Sequence, residues 1–405
     1  MAHLQKRNGK YRICVEKGRD PVTGKRERIY ETVDGTKREA EERLHELAYK
    51  IKSGKYPEDS ESSEESESSG MTVKEILNNW YENYCKINLA ESTQEYYQVI
   101  INSHLIPVLG HILVSDLKPI YIQNYILDKT KDGRLDGKEG GLSKKSVKRH
   151  YTVLNQSLKY AVELKVIDKN PAKPASPPSP DKPEIIAMTQ NQLNKLLNKA
   201  KEDKYNKGWL YDFLYIAAHT GMRRGELLAL RWQDIDFKEK SLQVKQSVSK
   251  LSGGRLLYKR PKTESSSRPV IIDDSIIKIL RKRHKEQKEN KLEMGDKYNT
   301  DYNLVFLKPN GDPYLPDYAS KQFKKVATQS DLNKFRLHDL RHTHATLMLK
   351  ANIHPKVVQE RLGHSSIDQT LNTYSHVTPS MQHEALEKYR NKLENNPGDS
   401  LATTD

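Results

Sequence analysis

Residues 337–349 read LHDLRHTHATLML, residues 361–366 read RLGHSS and residues 370–377 read TLNTYSHV. Everything else in the chain is organised around these strings. His338 and Arg341 are three apart, so a helix through them places both on one face, about one turn from each other. His364 sits at a Leu-Gly-His turn beyond that helix, and Tyr374 follows ten residues later. Two imidazoles, a guanidinium and a phenol, with neither paired carboxylates nor a Gly-rich phosphate loop, suit chemistry on an existing phosphodiester. A zinc set of His338, His342 and His344 is the competing reading, the first two lying at i and i+4. The Glu of an H-E-x-x-H helix is missing, however, and no clear third ligand follows.

The composition narrows the partner. The chain has 405 residues, enough for two or three domains, with a formal charge of +15 and 30% charged residues. An excess of Lys and Arg of that size fits a polyanion. Nucleic acid suits it better than an acidic lipid surface, because no amphipathic anchor or lipidation signal accompanies it. The two cysteines, Cys14 and Cys85, lie outside any C-x-x-C spacing, which argues against a disulfide framework and fits a reducing cytosol. The opening MAHLQKRNGK has no apolar h-region, and no run of about 18 apolar residues occurs. A soluble, intracellular protein with no membrane association is expected.

Two compositional breaks divide the chain. Residues 56–70, YPEDSESSEESESSG, hold acids and serines without a Lys or Arg, and predict a mobile, self-repelling tether. Residues 171–184, PAKPASPPSPDKPE, predict a semi-stiff extended spacer. The first unit, residues 1–55, carries 15 Lys or Arg against 9 Asp or Glu. In it Tyr11, Ile13 and Val15 alternate as in a half-buried strand, DPVTGK turns, and RERIYETV returns antiparallel. Thr36 with Glu39 then forms a capping box ahead of Ala40, Leu44, Leu47 and Ile51 at helical spacing. Such a small, basic sheet with one helix suits an accessory DNA reader using its strands in a groove, with a protein-docking appendage as the alternative.

Residues 71–170 read as all helical. Thr72 with Glu75 and Ser92 with Glu95 are read as capping boxes opening the runs Ile76, Trp80, Tyr84 and Tyr96, Ile100, Leu105. A third helix is expected over SDLKPIYIQNYILDKT and a long fourth over LSKKSVKRHYTVLNQSLKYAVELKVI. The fourth begins with Lys144, Lys145, Lys148 and Arg149, cations that oppose the helix macrodipole and make sense where phosphates offset them. These four are the candidate DNA-binding residues. The third unit, residues 185–395, adds a Thr189–Gln192 cap, two helices separated by Thr220 and Gly221, a strand at SLQVKQSV, and a hairpin at RLLYKRPKTESSSRPVIID turning near Lys262 and Thr263. Residues 396–405 are expected to form a flexible tail. The fold class is thus multidomain and mainly α with small β-sheets.

Five strings, HTGMRRGELLALRW, PKTESSSRPV, LHDLRHTHATLML, LGHSS and TLNTYSHV, resemble in order and spacing the catalytic boxes of tyrosine recombinases of the phage and conjugative-transposon integrase type. The resemblance covers nearly the whole chain. It implies an arm-type DNA-binding domain at 1–55, a helical core-binding domain at 71–170 and a mixed α+β catalytic domain at 185–395. It also implies site-specific cutting and rejoining of DNA through a 3′-phosphotyrosyl intermediate, without metal, ATP or other cofactor. Arg223 and Arg341 match the phosphate-gripping pair, with His364 as a further donor; fixed cationic donors can meet the charge of the phosphorane-like transition state. Tyr374 matches the nucleophile, His338 its base, Lys262 the acid for the departing 5′ oxygen, and Glu226 a supporting group.

Arg224 beside Arg223 is an alternative clamp, and Tyr389 an alternative nucleophile, although Tyr389 falls with Ala385, Leu386 and Leu393 on a helical stripe that suits packing. The implied partners are double-stranded DNA at core and arm attachment sites, a homotetramer on that DNA, an excision factor and a host DNA-bending protein. The implied place is the nucleoid of a prokaryotic cytoplasm. The segment SMQHEALEKYRNKLENN is expected to pack its apolar stripe on a neighbouring protomer, with docking in cis as the alternative. A type IB topoisomerase-like enzyme and a DNA-binding regulator with a vestigial site are the competing functions.

Overall fold

A computed structural model describes residues 2–7, 10–19, 26–52, 70–181, 186–203, 208–260, 267–367, 386–387 and 389–391. The expected DPVTGK turn, the acidic tether, the Lys262 turn, Tyr374, most of the C-terminal stripe and the tail lie outside the described residues. The chain divides into two compact units between Lys182 and Pro183. That division falls within the proline-rich stretch.

In the first unit, strands β1 (Ala2–Arg7), β2 (Lys10–Arg19) and β3 (Arg26–Val33) form an antiparallel sheet in that order. Helix α1 (Lys37–Lys52) covers it, with Ile13, Val15 and Leu47 as the buried centre. The Thr36–Glu39 capping box is present: the Thr36 amide donates to Glu39 Oε2 at 2.7 Å and the Glu39 amide to Thr36 Oγ1 at 3.3 Å. Strand β1 was not expected from the sequence; pairing with β2, Leu4 opposite Ile13, supplies what its own weak pattern does not.

The helical part comprises α2 (Val73–Trp80), α3 (Lys86–Asn88), α4 (Glu91–Ile100), α5 (Ile106–Leu109), α6 (Pro119–Lys131) and α7 (Lys144–Glu163). A π-helical turn at Tyr81–Cys85 joins α2 to α3, and another at Ile101–Leu105 joins α4 to α5. Each inserts an extra residue and rotates the inward face. Cys85 therefore takes the core place expected for Tyr84, which is 42% exposed, and Leu105 packs inward five residues after Ile100. The expected Ser92–Glu95 capping box does not form. Helix α4 already starts at Glu91 behind Ala90, and the Gln94 side-chain amide instead donates from Nε2 to the Lys86 and Leu89 carbonyls at 3.1 and 2.7 Å, closing the preceding helix end. Thr72 and Glu75 do form their box.

The proline-rich stretch is anchored where it begins. Ala172 and Ala175 are buried in the bundle, the Tyr151 hydroxyl donates to the Ala172 carbonyl at 3.1 Å, and the Ser176 amide donates to Gln123 at 3.0 Å. Tyr49 of α1 meets His111 edge-on at 5.2 Å, so the N-terminal sheet module touches the helices within this unit.

The second unit contains α8 (Gln190–Glu202), α9 (Trp209–Thr220), α10 (Arg224–Leu228), strands β4 (Ile235–Asp236), β5 (Ser241–Val244), β6 (Ser247–Lys250), β7 (Leu256–Lys259) and β8 (Arg268–Ile271), then α11 (Asp274–Met294), α12 (Pro316–Gln329), α13 (Asp339–Lys350) and α14 (Pro355–Leu362). Thr189 and Gln192 cap α8 as expected. The strand pairing differs from the sequence-based expectation in two places. SLQVKQSV is two strands, β5 and β6, separated where the Gln246 side chain donates to the Ala229 carbonyl at 2.7 Å. β7 and β8 are not a hairpin: β7 pairs with β6 and β8 with β5, so residues 260–267 connect two sheets. The reason is local, because the Ser252–Gly254 turn, with Gly253 and Gly254 at positive φ, returns β6 onto β7 first.

Phe213, Phe306, Phe323 and Phe335 are fully buried in this unit's core. A buried ion pair crosses it, Arg283 to Asp212 at 3.3 Å, with the guanidinium also donating to the Val305 carbonyl and lying 4.6 Å from the Phe306 ring centre.

Candidate active site

The site is assembled at the ends of helices, where backbone groups lack intrahelical partners. Gly221 terminates α9 in the left-handed conformation, φ 65°. Two residues on, Arg223 caps α10 without being part of it. Its amide and Nη1 both donate to the Glu226 carboxylate, at 2.9 and 2.7 Å: only the glutamate half of a capping box is present, and because a guanidinium cannot accept, an ion pair stands in for the other half. Arg223 thus stands at the helix entrance, and its side chain remains 38% exposed.

Arg341, one turn into α13, is buried and donates from Nη1 to the Gly221 carbonyl at 2.8 Å and from Nη2 to the Leu362 carbonyl at 2.7 Å. Arg223 Nη2 reaches the next carbonyl, that of Gly363, at 3.3 Å. The two guanidiniums thus converge on consecutive carbonyls at the C-terminal end of α14, the negative end of its dipole. His364 follows at once, its amide donating to the Gln359 carbonyl at 3.1 Å. Backbone carbonyls orient Arg341 without neutralising it. Burial, followed by the charge of Arg223, lowers its pKa to about 9.

The other titratable groups respond to the same field. His338 precedes α13 and keeps an edge open to solvent; desolvation by its neighbours, then His342 and Arg341, lowers it to about 4. Burial, then Arg341 and Arg223, lowers His364 to about 3. Both are neutral at neutral pH. Glu226 is buried, which alone would raise its pKa, but Arg268 and Arg223 outweigh burial and hold it below the usual carboxylate range.

Next to this cluster lies an open cleft of about 620 Å³ whose lining includes Arg223, Arg224, Lys324, Lys334, Arg336 and His338, with no carboxylate among the described lining residues. Such a surface is made for an anion. Arg224 lines it but is committed elsewhere, donating to Ser320 Oγ at 2.7 Å and to the Pro316 carbonyl at 3.2 Å. That leaves Arg223 as the arginine beside Arg341. His344 is turned away from His338, bonded to the Ala218 carbonyl and to Arg361, so the three histidines of the zinc reading do not converge. His338 and His342 do meet, edge to face at 5.0 Å. Among the described residues no group of three or more His, Cys, Asp or Glu could hold a metal ion.

The structure therefore brings together Arg223, Glu226, His338, Arg341 and His364. Lys262 and Tyr374 lie outside the described residues. Tyr389, expected to pack on a helical stripe, is 63% exposed within this chain. Lys144, Lys145, Lys148 and Arg149 are exposed at the start of α7 in the other unit, with no acid in the helix's first turn.

Sequence reasoning missed Arg268 and Arg361. Arg268 donates to both Glu226 oxygens, at 3.5 and 3.1 Å, and to the Arg361 carbonyl at 2.6 Å. Its signal was present: on β8 the buried positions alternate, Arg268 sharing a face with Val270, and a cation on an apolar strand face needs a buried acceptor.

Similarity to known proteins extends over nearly the whole chain. Residues 187–381 match the model of the phage integrase family, and residues 72–129 match the phage integrase N-terminal SAM-like domain. The ICEBs1 integrase of Bacillus subtilis (strain 168) is 30% identical over 385 residues, covering 94% of this chain and 97% of that protein. A XerC-like tyrosine recombinase from Caldanaerobacter subterraneus subsp. tengcongensis is 30% identical over 403 residues, 94% of this chain and 96% of that protein. Among solved structures, the Tn1549 transposon integrase in complex with a circular intermediate DNA superposes with a TM-score of 0.66 at 23% identity, over 79% of this chain and 99% of that one. A lambda integrase from a tetramer bound to a Holliday junction gives 0.56 at 20% identity, over 91% and 94%. At those identities the structures speak for the fold alone. The family matches and the full-length relatives carry the conclusion that this chain belongs to the phage integrase family: it is a tyrosine recombinase, an enzyme that cuts and rejoins DNA and that mobile elements use for their integration.

Proposed function

We propose that Arg223, Lys262, His338, Arg341, His364 and Tyr374 carry the reaction, with Glu226 supporting Arg223. The observation that supports this set best is the convergence of Arg223 and Arg341 on the Gly363 and Leu362 carbonyls, directly before His364 and beside the basic cleft. The phenol oxygen of Tyr374 attacks the scissile phosphorus and its proton passes to His338, neutral and so able to accept it. Charge building on the non-bridging oxygens is met by the two guanidiniums and by His364. Lys262 gives a proton to the departing 5′ oxygen. The bond to that oxygen breaks as the 3′-phosphotyrosyl bond forms, and attack by a 5′ hydroxyl from a second duplex reverses the step without ATP.

The domain assignment goes with this mechanism: 1–55 for arm-site DNA, 56–70 as tether, 71–170 for core-site DNA through Lys144, Lys145, Lys148 and Arg149, 171–184 as connection, and 185–395 for catalysis. Two DNA sites held by one chain gain from effective concentration. The homologous lambda integrase forms a tetramer on a Holliday junction, and the same assembly is the natural one here, the C-terminal segment reaching a neighbouring protomer. An excision factor and a host DNA-bending protein complete the proposed partners, and the place of action is the bacterial nucleoid. Among the described residues no helix is long and apolar enough to cross a membrane.

A nicked suicide duplex carrying the candidate crossover site tests the mechanism. A covalent protein–DNA complex should form with the intact enzyme and disappear with Tyr374→Phe; persistence of the complex in that variant defeats the assignment. Joining of two separate duplexes, as opposed to relaxation of one, separates recombinase from topoisomerase.

A further inference from the structure

Three consecutive carbonyls at the end of α14 each accept from a different arginine: Arg361 from Arg268 Nε at 2.6 Å, Leu362 from Arg341 Nη2 at 2.7 Å, and Gly363 from Arg223 Nη2 at 3.3 Å. Two of these arginines belong to the proposed catalytic set. The third, Arg268, is buried on β8. Its other contacts explain its presence. Its Nη1 and Nη2 donate to the two oxygens of Glu226 at 3.5 and 3.1 Å, the same oxygens that receive Arg223 Nη1 and the Arg223 amide. The tie between β8 and α14 is reciprocal, because Arg361 Nη1 donates back to the Ile271 carbonyl at 2.8 Å.

We infer that Arg268 is a positioning residue for DNA cleavage, acting through Glu226 on Arg223 and through the Arg361 carbonyl on the turn that carries His364. The physical case is one of shared acceptors. A buried carboxylate with a single cation partner can rotate to follow that cation. Held on its far side by a second fork, Glu226 has one orientation, and Arg223 is fixed at the cleft wall in consequence. Without Arg268, Glu226 would retain Arg223 alone, draw it inward, and leave the Arg361 carbonyl without this donor one residue before the pair that aligns Arg341 and Arg223. Misplacement of a transition-state donor by about 1 Å can cost roughly 100-fold in rate.

This inference rests on the catalytic assignment above, so the experiment separates the two. Full-length wild type, Arg268→Met, Arg268→Lys, Glu226→Gln and the Arg268→Met/Glu226→Gln double variant are compared on the suicide duplex, with the single-turnover cleavage rate at saturating protein and the DNA affinity measured separately. The expected result is a rate about 10- to 100-fold lower in Arg268→Met, DNA affinity close to wild type, partial recovery in Arg268→Lys, and a double variant no slower than the slower single one. A merely structural role would instead reduce the fraction of protein that reacts and leave the rate of that fraction unchanged. Wild-type rate in Arg268→Met, or multiplying losses in the double variant, overturns the inference. If Arg268→Met does not fold, a wild-type rate in both Arg268→Lys and Glu226→Gln overturns it equally. Should Tyr374→Phe still form the complex, the catalytic assignment fails; should only the Arg268 and Glu226 variants behave as wild type, this inference alone fails.

Discussion

Arg361 donates from Nε to Nε2 of His344 at 3.2 Å, and His344 is bonded through Nδ1 to the Ala218 carbonyl at 2.9 Å. Since a guanidinium can only donate, Nε2 must be the acceptor and Nδ1 carries the proton: His344 is a neutral imidazole joining α9, α13 and α14. Burial, then Arg361, lowers its pKa to about 3. His150, in the other unit, is lowered by burial to about 4.

The sign of the resulting pH dependence follows. Between the unfolded-state value of about 6.5 and these folded values, the unfolded chain binds more protons than the native one. The stability associated with neutral His344 and His150 is therefore complete above about pH 6.5 and is lost as pH falls toward 4 and then 3. Urea midpoints measured at stepped pH below neutrality should fall steadily. His344→Gln should start lower at neutral pH and decline less steeply. A midpoint independent of pH across that range would remove the proposed role of these histidines.

Gly221 should tolerate no side chain. Its φ is 65°, and a Cβ there would lie 2.5 Å from Leu362 Cδ2 and 2.7 Å from His344 Cδ2. Gly221→Ala is expected to destabilise by more than about 1 kcal/mol through backbone strain alone, and to displace the carbonyl that holds Arg341. Urea titration and suicide-substrate cleavage should both report a loss. A variant that is as stable and as active as wild type would mean the α9–α14 contact is looser than described.

Arg341→Lys keeps the charge and removes the fork. One ammonium cannot hold carbonyls from two segments, Gly221 and Leu362, while presenting planar donors to phosphate. Cleavage is expected to fall about 100- to 1,000-fold, while DNA affinity at a fixed salt concentration stays near wild type. Equal losses in both would show that Arg341 binds DNA in the ground state and adds nothing specific to the transition state.

Much of this site was legible in sequence because its cations sit at helix ends beside recognisable turns, and the order of the strings supplied what spacing could not. His338, Arg341 and His364 stood out from residue type and spacing, whereas Arg223 and Glu226 entered through the resemblance of their string. What escaped was long-range or backbone-borne. Arg268 and Glu226 are 42 residues apart in the chain, and no local pattern pairs them. The carbonyls of Gly221, Leu362 and Gly363 carry no side-chain signature at all. The strand pairing was misread for a related reason: periodicity tells which residues share a face, but not which strand lies alongside, and the Gly253–Gly254 turn claimed β7 for β6. The π-helical turns likewise shifted the inward face by one residue, placing Tyr84 outside and Cys85 inside, an offset invisible to a fixed 3.6-residue period.

The N-terminal turn of α7 offers a test of the DNA-binding assignment in the first unit. Ser143 caps the helix by accepting from the Ser146 amide, and Lys144, Lys145, Lys148 and Arg149 then add positive charge to the positive end of the dipole. All four are exposed; Lys144 faces Asp181 at 3.0 Å and Arg149 lies 5.2 Å from the Tyr96 ring centre, so Lys145 and Lys148 are the pair to replace. Against the dipole these charges cost stability, so replacing Lys145 and Lys148 by Ala should leave the fold as stable or slightly more so. If each lysine neutralises one phosphate, each replacement should lower the slope of log affinity against log salt by about 0.9 in magnitude. The double replacement should therefore weaken binding most at low salt and about equally across duplex sequences, since phosphate contacts position without reading bases. An unchanged salt slope would make the turn a solvated helix end and move the DNA contact elsewhere on the unit.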